Sequence, residues 1–158
     1  MVSILEAHVN AEMEGDLEGT MATMTKEPHL LNVANMMGGD DYEGVKKFYK
    51  NHLVGKFFPP DVEMNRISIT IGTHQIVEEL VIIFTHTQKV DWLLPEIEPT
   101  NKKLKIPLVV IAGVKDKKVT HEHIYWDQAS VLVQAGLLDP KNLPVVGDQS
   151  ANKLLKLC

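Results

Sequence analysis

Two periods divide the chain. Up to Pro60 the apolar positions recur at helical spacing, and in SILEAHVNAEMEG the residues Leu5, Val9 and Met13 stand four apart with Ile4 alongside. That spacing predicts an amphipathic helix ended by Gly15. Asp16 is placed to cap a second short helix through LEGTMATM, accepting from an amide of its first turn, and Pro28 stops that run. HLLNVANM reads as a short strand or extended arm. GGDD (38–41) predicts a turn and a cap, and YEGVKKFYKNHL puts Val45, Phe48, Tyr49 and Leu53 on one helical face.

Beyond Pro59-Pro60 the pattern alternates, through VEMNRISITI (62–71), IVEELVIIFTHTQKV (76–90), KIPLVVIAGVKD (105–116) and KVTHEHIYWD (118–127). Alternation over such lengths predicts long antiparallel strands. KDKK (115–118) is a hairpin turn by spacing, and WLLPEIEPTNKKL (92–104) is a loop. QASVLVQAGLL is helical by its Leu132, Val133 and Leu137, with Gly136 at its end, and DQSANKLLKL is a terminal capped helix. Helices first, then four strands, then a helix imply an α+β fold: a conical curved antiparallel sheet packed with the N-terminal helices around an internal cavity. Small apolar ligands bind in cavities of that kind.

Composition narrows the classes. The chain has 158 residues, enough for one domain with a core, expected over 1–158, and 44% of them are apolar. Its formal charge of -5, with acids and bases interspersed, offers no basic stripe for nucleic acid. LVIIF (80–84) and IPLVVIAGV (106–114) are too short to cross a membrane, and no basic region followed by an apolar core opens the chain. No membrane partner is expected, and a cytoplasmic location is. The one cysteine, Cys158, excludes an internal disulfide and a thiolate zinc cluster.

Candidate chemistry concentrates in HEHIYWDQAS. His121, His123, Tyr125 and Asp127 share one strand face, with Ile124 and Trp126 on the other, where they serve packing or an interface between copies. Asp127 stands directly before a helix, so it is either the N-cap for Ala129 or Ser130, or a partly buried acid/base. His123 is either an exposed strand histidine or a donor to a developing enolate. Tyr125 is either a wall residue or a second donor to that oxyanion, and His86, in FTHT, either a core histidine or a cavity residue opposite His123. One of Glu78 and Glu79 must face inward or lie at an edge, and Glu79 is taken as the pocket residue. Trp92 and Phe58 are expected to cover the core and rim the pocket mouth. His121-x-His123 with Asp127, and a third histidine such as His86, has the look of a metal half-site. The remaining histidines keep no fixed spacing to this pair, so no metal and no cofactor are expected.

FTHT (84–87), the PTNKK turn (99–103) and HIYWDQASVLVQAG (123–136) follow one another as in SnoaL-like polyketide cyclases of the nuclear transport factor 2-like (NTF2-like) superfamily, which the chain resembles as far as Leu138. The most specific element is Asp127 with Gln134 and Gly136. Two positions depart from the pattern: Asn101 replaces the usual Gly after the PT turn, and Trp126-Asp127 differs from the cyclase sequence. The resemblance implies a conical fold, a homodimer built on the sheet, and Asp127 as general acid/base in a cofactor-free cyclisation, isomerisation or dehydration of a small apolar carbonyl compound. On that basis Asp127, His123 and His86 are the expected catalytic residues, with Tyr125, Glu79, His121, Trp92 and Phe58 contacting substrate. Two other readings stand beside it. One is a non-catalytic small-molecule-binding or dimerisation module. The other is a metal-assisted or lactone-type hydrolase, as in the carboxymethylenebutenolidase label some relatives carry, although no Gly-x-Ser/Cys-x-Gly elbow is present.

Overall fold

The computed structural model describes residues 2–53 and 55–158. Two helices, α1 (Val2–Glu14) and α2 (Leu17–Thr23), lead into strand β1 (Met24–Asn32) and a short β2 (Met37–Gly39). Helix α3 (Tyr42–Phe48) continues into a π turn over Tyr49–Leu53. Then follow β3 (Glu63–Ile71), β4 (Gln75–Thr85), β5 (Lys103–Lys115), β6 (Lys118–Trp126), α4 (Gln128–Gln134) and α5 (Gln149–Leu157). The strands form one curved, unclosed sheet in the order β2-β1-β6-β5-β4-β3.

Local signals account for most of these boundaries. Gly15 takes a left-handed φ of 70° and Asp16 N–H returns to Ala11 O at 2.9 Å, which closes α1. Asp16 then caps α2 through Gly19 N–H at 2.9 Å. In the β5–β6 hairpin Asp116 and Lys117 both have positive φ, the backbone a two-residue turn needs to match strand twist.

The sheet departs from the expected all-antiparallel arrangement at one junction. β1 is a full strand and runs parallel to β6, pairing Leu30 with Glu122 and Asn32 with Ile124. Parallel neighbours need a long connection, and here most of the chain supplies it. Pro28 lies where the β1–β6 register shifts, the position a strand proline tolerates.

One face of the sheet carries the core. Leu80, Ile82 and Phe84 of β4 and Leu104, Ile106 and Leu108 of β5 pack against Val45, Phe48 and Tyr49 and against Trp92 and Leu93 of the 86–102 loop. The outer face is covered in part by α5, where Ala151 meets Val81 and Ile83. Among the described residues no helix is long and apolar enough to cross a membrane.

Candidate active site

The core is not filled. A cavity of about 400 Å³ lies between the sheet, α1 and the 57–58 and 92 loops, with walls that include Leu5, Phe48, Phe58, Leu80, Trp92 and Ile124. Three buried polar side chains, Glu12, Asn32 and Glu122, reach this apolar space.

Glu12 and Glu122 meet at His8. Its Nε2 lies 3.3 Å from Glu12 Oε1, 3.4 Å from Glu122 Oε2 and 3.1 Å from the Tyr49 hydroxyl. The other nitrogen, Nδ1, is 2.5 Å from Thr23 Oγ1. Tyr49 donates to Glu122 Oε2 at 3.2 Å. His8 is wholly shielded from water. Helical spacing aligns Leu5, His8 and Glu12 on the buried side of α1. The strand places Glu122 between its neighbours on the inward face of β6.

The electrostatics of this cluster are uneven. Burial works against the His8 charge, but the two carboxylates outweigh it and raise its pKa to about 11. Burial lifts the Glu12 carboxyl above its usual range, His8 only partly offsetting it. For Glu122, burial is again the largest influence, yet the His8 charge and the hydrogen bonds from His8 and Tyr49 overcome it and hold the group below its usual range. The protonated His8 thus stands between two carboxyl groups that reach one apolar cavity, Glu122 shifted toward its ionised form and Glu12 toward its neutral form. Glu12 can then donate a hydrogen bond and Glu122 can accept a proton.

A cation also has a geometric option here. The donor atoms of His8, Glu12 and Glu122 lie within 4.8 Å of one another, the one such convergence among the described residues. An ion there would have to displace the proton on His8, because metal ligands must be deprotonated.

The residues singled out from sequence are distributed otherwise. Trp92 and Phe58 do line the cavity. His121, His123 and Tyr125 project from the opposite face of β6, away from it. Asp127 is exposed and accepts the amides of Ala129 at 3.0 Å and Ser130 at 3.2 Å, capping α4. Glu79 also faces outward, bonded by Ser68 Oγ at 3.0 Å, and lines a shallow outer depression with Tyr125 and Asp127. Its neighbour Glu78 is the inward one, paired with Arg66 at 2.5 Å on the cavity wall. His86 is buried outside the cavity, where its Nδ1 accepts from Thr100 N–H at 3.3 Å and anchors the 86–102 loop.

The correction has a single physical reason. On β6 the packing face and the cavity face are the same face, because the cavity is a gap in the packing of α1, α3 and the 86–102 loop against the sheet. Ile124 on the cavity wall and Trp126, edge-on to Trp92 at 5.7 Å, therefore identify the inward side of β6, and Glu122 between His121 and His123 belongs to it. The signal that could have found the site was a glutamate amid inward apolar residues, joined with His8 and Glu12 one helical turn apart.

Solved structures share this architecture. A protein of ketosteroid isomerase-like fold from Catenulispora acidiphila, in complex with trimethylamine, superposes with a TM-score of 0.64 at 13% identity, covering 85% of this chain and 93% of its own. An NTF2-like protein from Burkholderia xenovorans gives 0.62 at 13% identity over 85% of this chain and 94% of its own. The chain has the NTF2-like fold. Within that fold it is also similar to a candidate SnoaL-like polyketide cyclase from Jannaschia sp. CCS1, with a TM-score of 0.64 at 16% identity over 87% and 94% of the two chains. No family model and no curated protein sequence matches the chain.

Proposed function

We propose that this NTF2-like chain holds a small, mainly apolar carbonyl compound in its cavity and moves a proton on it without a cofactor. Glu122 takes the proton from the carbon beside the carbonyl. The electron pair passes to the carbonyl oxygen, which Glu12 stabilises by hydrogen bonding, and return of the proton to the same or another carbon completes the turnover. Cyclisation, isomerisation and dehydration can each begin with this enolate. His8 and Tyr49 are positioning residues that keep Glu122 ionised, and Asn32 offers its amide to a polar group of the ligand. The observation that carries the reading is the convergence of two buried carboxyl groups, Glu12 from α1 and Glu122 from β6, at His8 beside one apolar cavity. Likeness to proteins described as ketosteroid isomerase-like and as candidate cyclases supports the reaction class.

The test is solvent deuterium exchange, followed by NMR, across a panel of cyclic enones and β,γ-unsaturated ketones. Exchange above the buffer rate is expected for at least one compound, falling by about 10²–10⁴ in Glu122→Gln. Equal exchange in that variant would overturn the assignment. Ketones that bind without exchanging would leave the cavity as a binding module.

A further inference from the structure

Three imidazoles meet on the outer face of the sheet. His29 of β1 is the register partner of His121 on the parallel strand β6, and His123 follows two residues later, so all three project to one side. Their ring centroids form a triangle with sides of 4.9 Å (His29–His121), 4.8 Å (His121–His123) and 5.1 Å (His29–His123). The Nε2 atoms of His29 and His123 are 3.0 Å apart. Opposite His121 on β5 stands Gly113, where a Cβ would fall 2.3 Å from His121 Cε1. The glycine is what lets the ring lie over the strand.

We propose that His29, His121 and His123 form a binding site for a divalent transition-metal ion, with Zn²⁺ as the reference ion and the fourth coordination position open to solvent. A tetrahedral ion with Zn–N bonds of about 2.0–2.1 Å spaces its imidazole nitrogens by about 3.3 Å and the ring centroids by about 5 Å. The ring centroids already have that spacing and the His29–His123 nitrogen pair is close to it, while the His121 nitrogens do not yet converge with them as the donor atoms of the His8 cluster do. His29 and His121 are stacked at an interplanar angle of 5°, so binding requires the His121 ring to turn its edge inward. Solvent access on this face leaves room for that rotation, since His29 is exposed and His121 and His123 are half-buried. Thr120 Oγ1, 3.0 Å from His121 Nδ1, leaves Nε2 of that ring for the ion. The site lies on the opposite face of β6 from Glu122 and does not depend on the proton-transfer reading.

The experiment is a titration of the chelator-treated, full-length chain with Co²⁺ followed by visible absorption, and with Zn²⁺ by competition against a chromophoric chelator. One ion per chain is expected, with the visible bands of a tetrahedral nitrogen-rich site and no near-ultraviolet thiolate band from Cys158. His29→Ala and His123→Ala should each weaken binding by more than the roughly 10–100-fold that an outer-shell partner costs, with unchanged circular dichroism. Gly113→Ala, which crowds His121, should weaken it by an independent route. Glu12→Gln should leave it unchanged, separating this site from the buried cluster. Absence of saturable uptake, uptake indifferent to His29→Ala and His123→Ala, or uptake lost in Glu12→Gln would each overturn the proposal.

Discussion

The Tyr49 hydroxyl donates to Glu122 Oε2 at 3.2 Å, and that contact ties the π turn after α3 to strand β6 beside the cavity. Both side chains are buried, so neither can replace the bond with water. Tyr49→Phe should therefore destabilise the chain by about 1.5–3 kcal/mol, the usual range for a hydrogen bond to a charged group. Urea unfolding measures this. The same variant should move the acid limb of any exchange activity to higher pH, because Glu122 loses a donor that favours its ionised form.

His8 makes stability depend on alkaline pH. Its pKa is about 11 in the folded chain against 6.5 unfolded, so the folded state binds more protons between those values. The His8 contribution is thus fully present below about pH 6.5 and is lost as pH rises through about 11. Thermal unfolding of wild type against His8→Gln across that window should show the difference in Tm shrinking steadily toward alkaline pH. A constant difference would mean His8 is not protonated in the fold.

Asp127 is expected to act through α4 rather than through chemistry. Asp127→Ala removes the acceptor for Ala129 and Ser130 N–H and should cost about 1 kcal/mol. Asp127→Asn retains the cap and should cost far less. Neither should change deuterium exchange on a bound ketone by more than about two-fold, and a larger loss in Asp127→Asn would return that residue to the active site.

The cavity itself can be tested by filling it. Ile124 lines the wall between Asn32 and Val110, and Ile124→Trp adds bulk to a space of about 400 Å³ rather than to close-packed core. Binding of any ketone from the exchange panel should be abolished while the unfolding midpoint changes little. A variant that unfolds readily would show that the cavity walls are already in contact.

Much of the secondary structure was legible in the chain because its signals are local. Alternation over IVEELVIIFTHTQKV and KIPLVVIAGVKD predicted β4 and β5, Gly15 and Asp16 marked the break between α1 and α2, and Asp127 announced a cap. β1 was read short, since Pro28 interrupts its pattern and the pairing that sustains the strand comes from β6. The PTNKK and QAG signals pointed to the right fold, whereas the nearby histidines, expected to look into the cone, project from the side of β6 opposite the cavity.

What the sequence determined by itself was the set of elements, the α+β class and the existence of an inward and an outward side on each strand, all of which follow from backbone periodicity and turn chemistry. Which side encloses the cavity was decided only by tertiary structure, because it depends on where α1, α3 and the 86–102 loop come to rest. The meetings of His8 with Glu122 and of His29 with His121 belong to that second category. Each joins residues with no common local pattern, and folding brings them within reach because the parallel pairing of β1 with β6 aligns one pair and the docking of α1 against β6 buries the other.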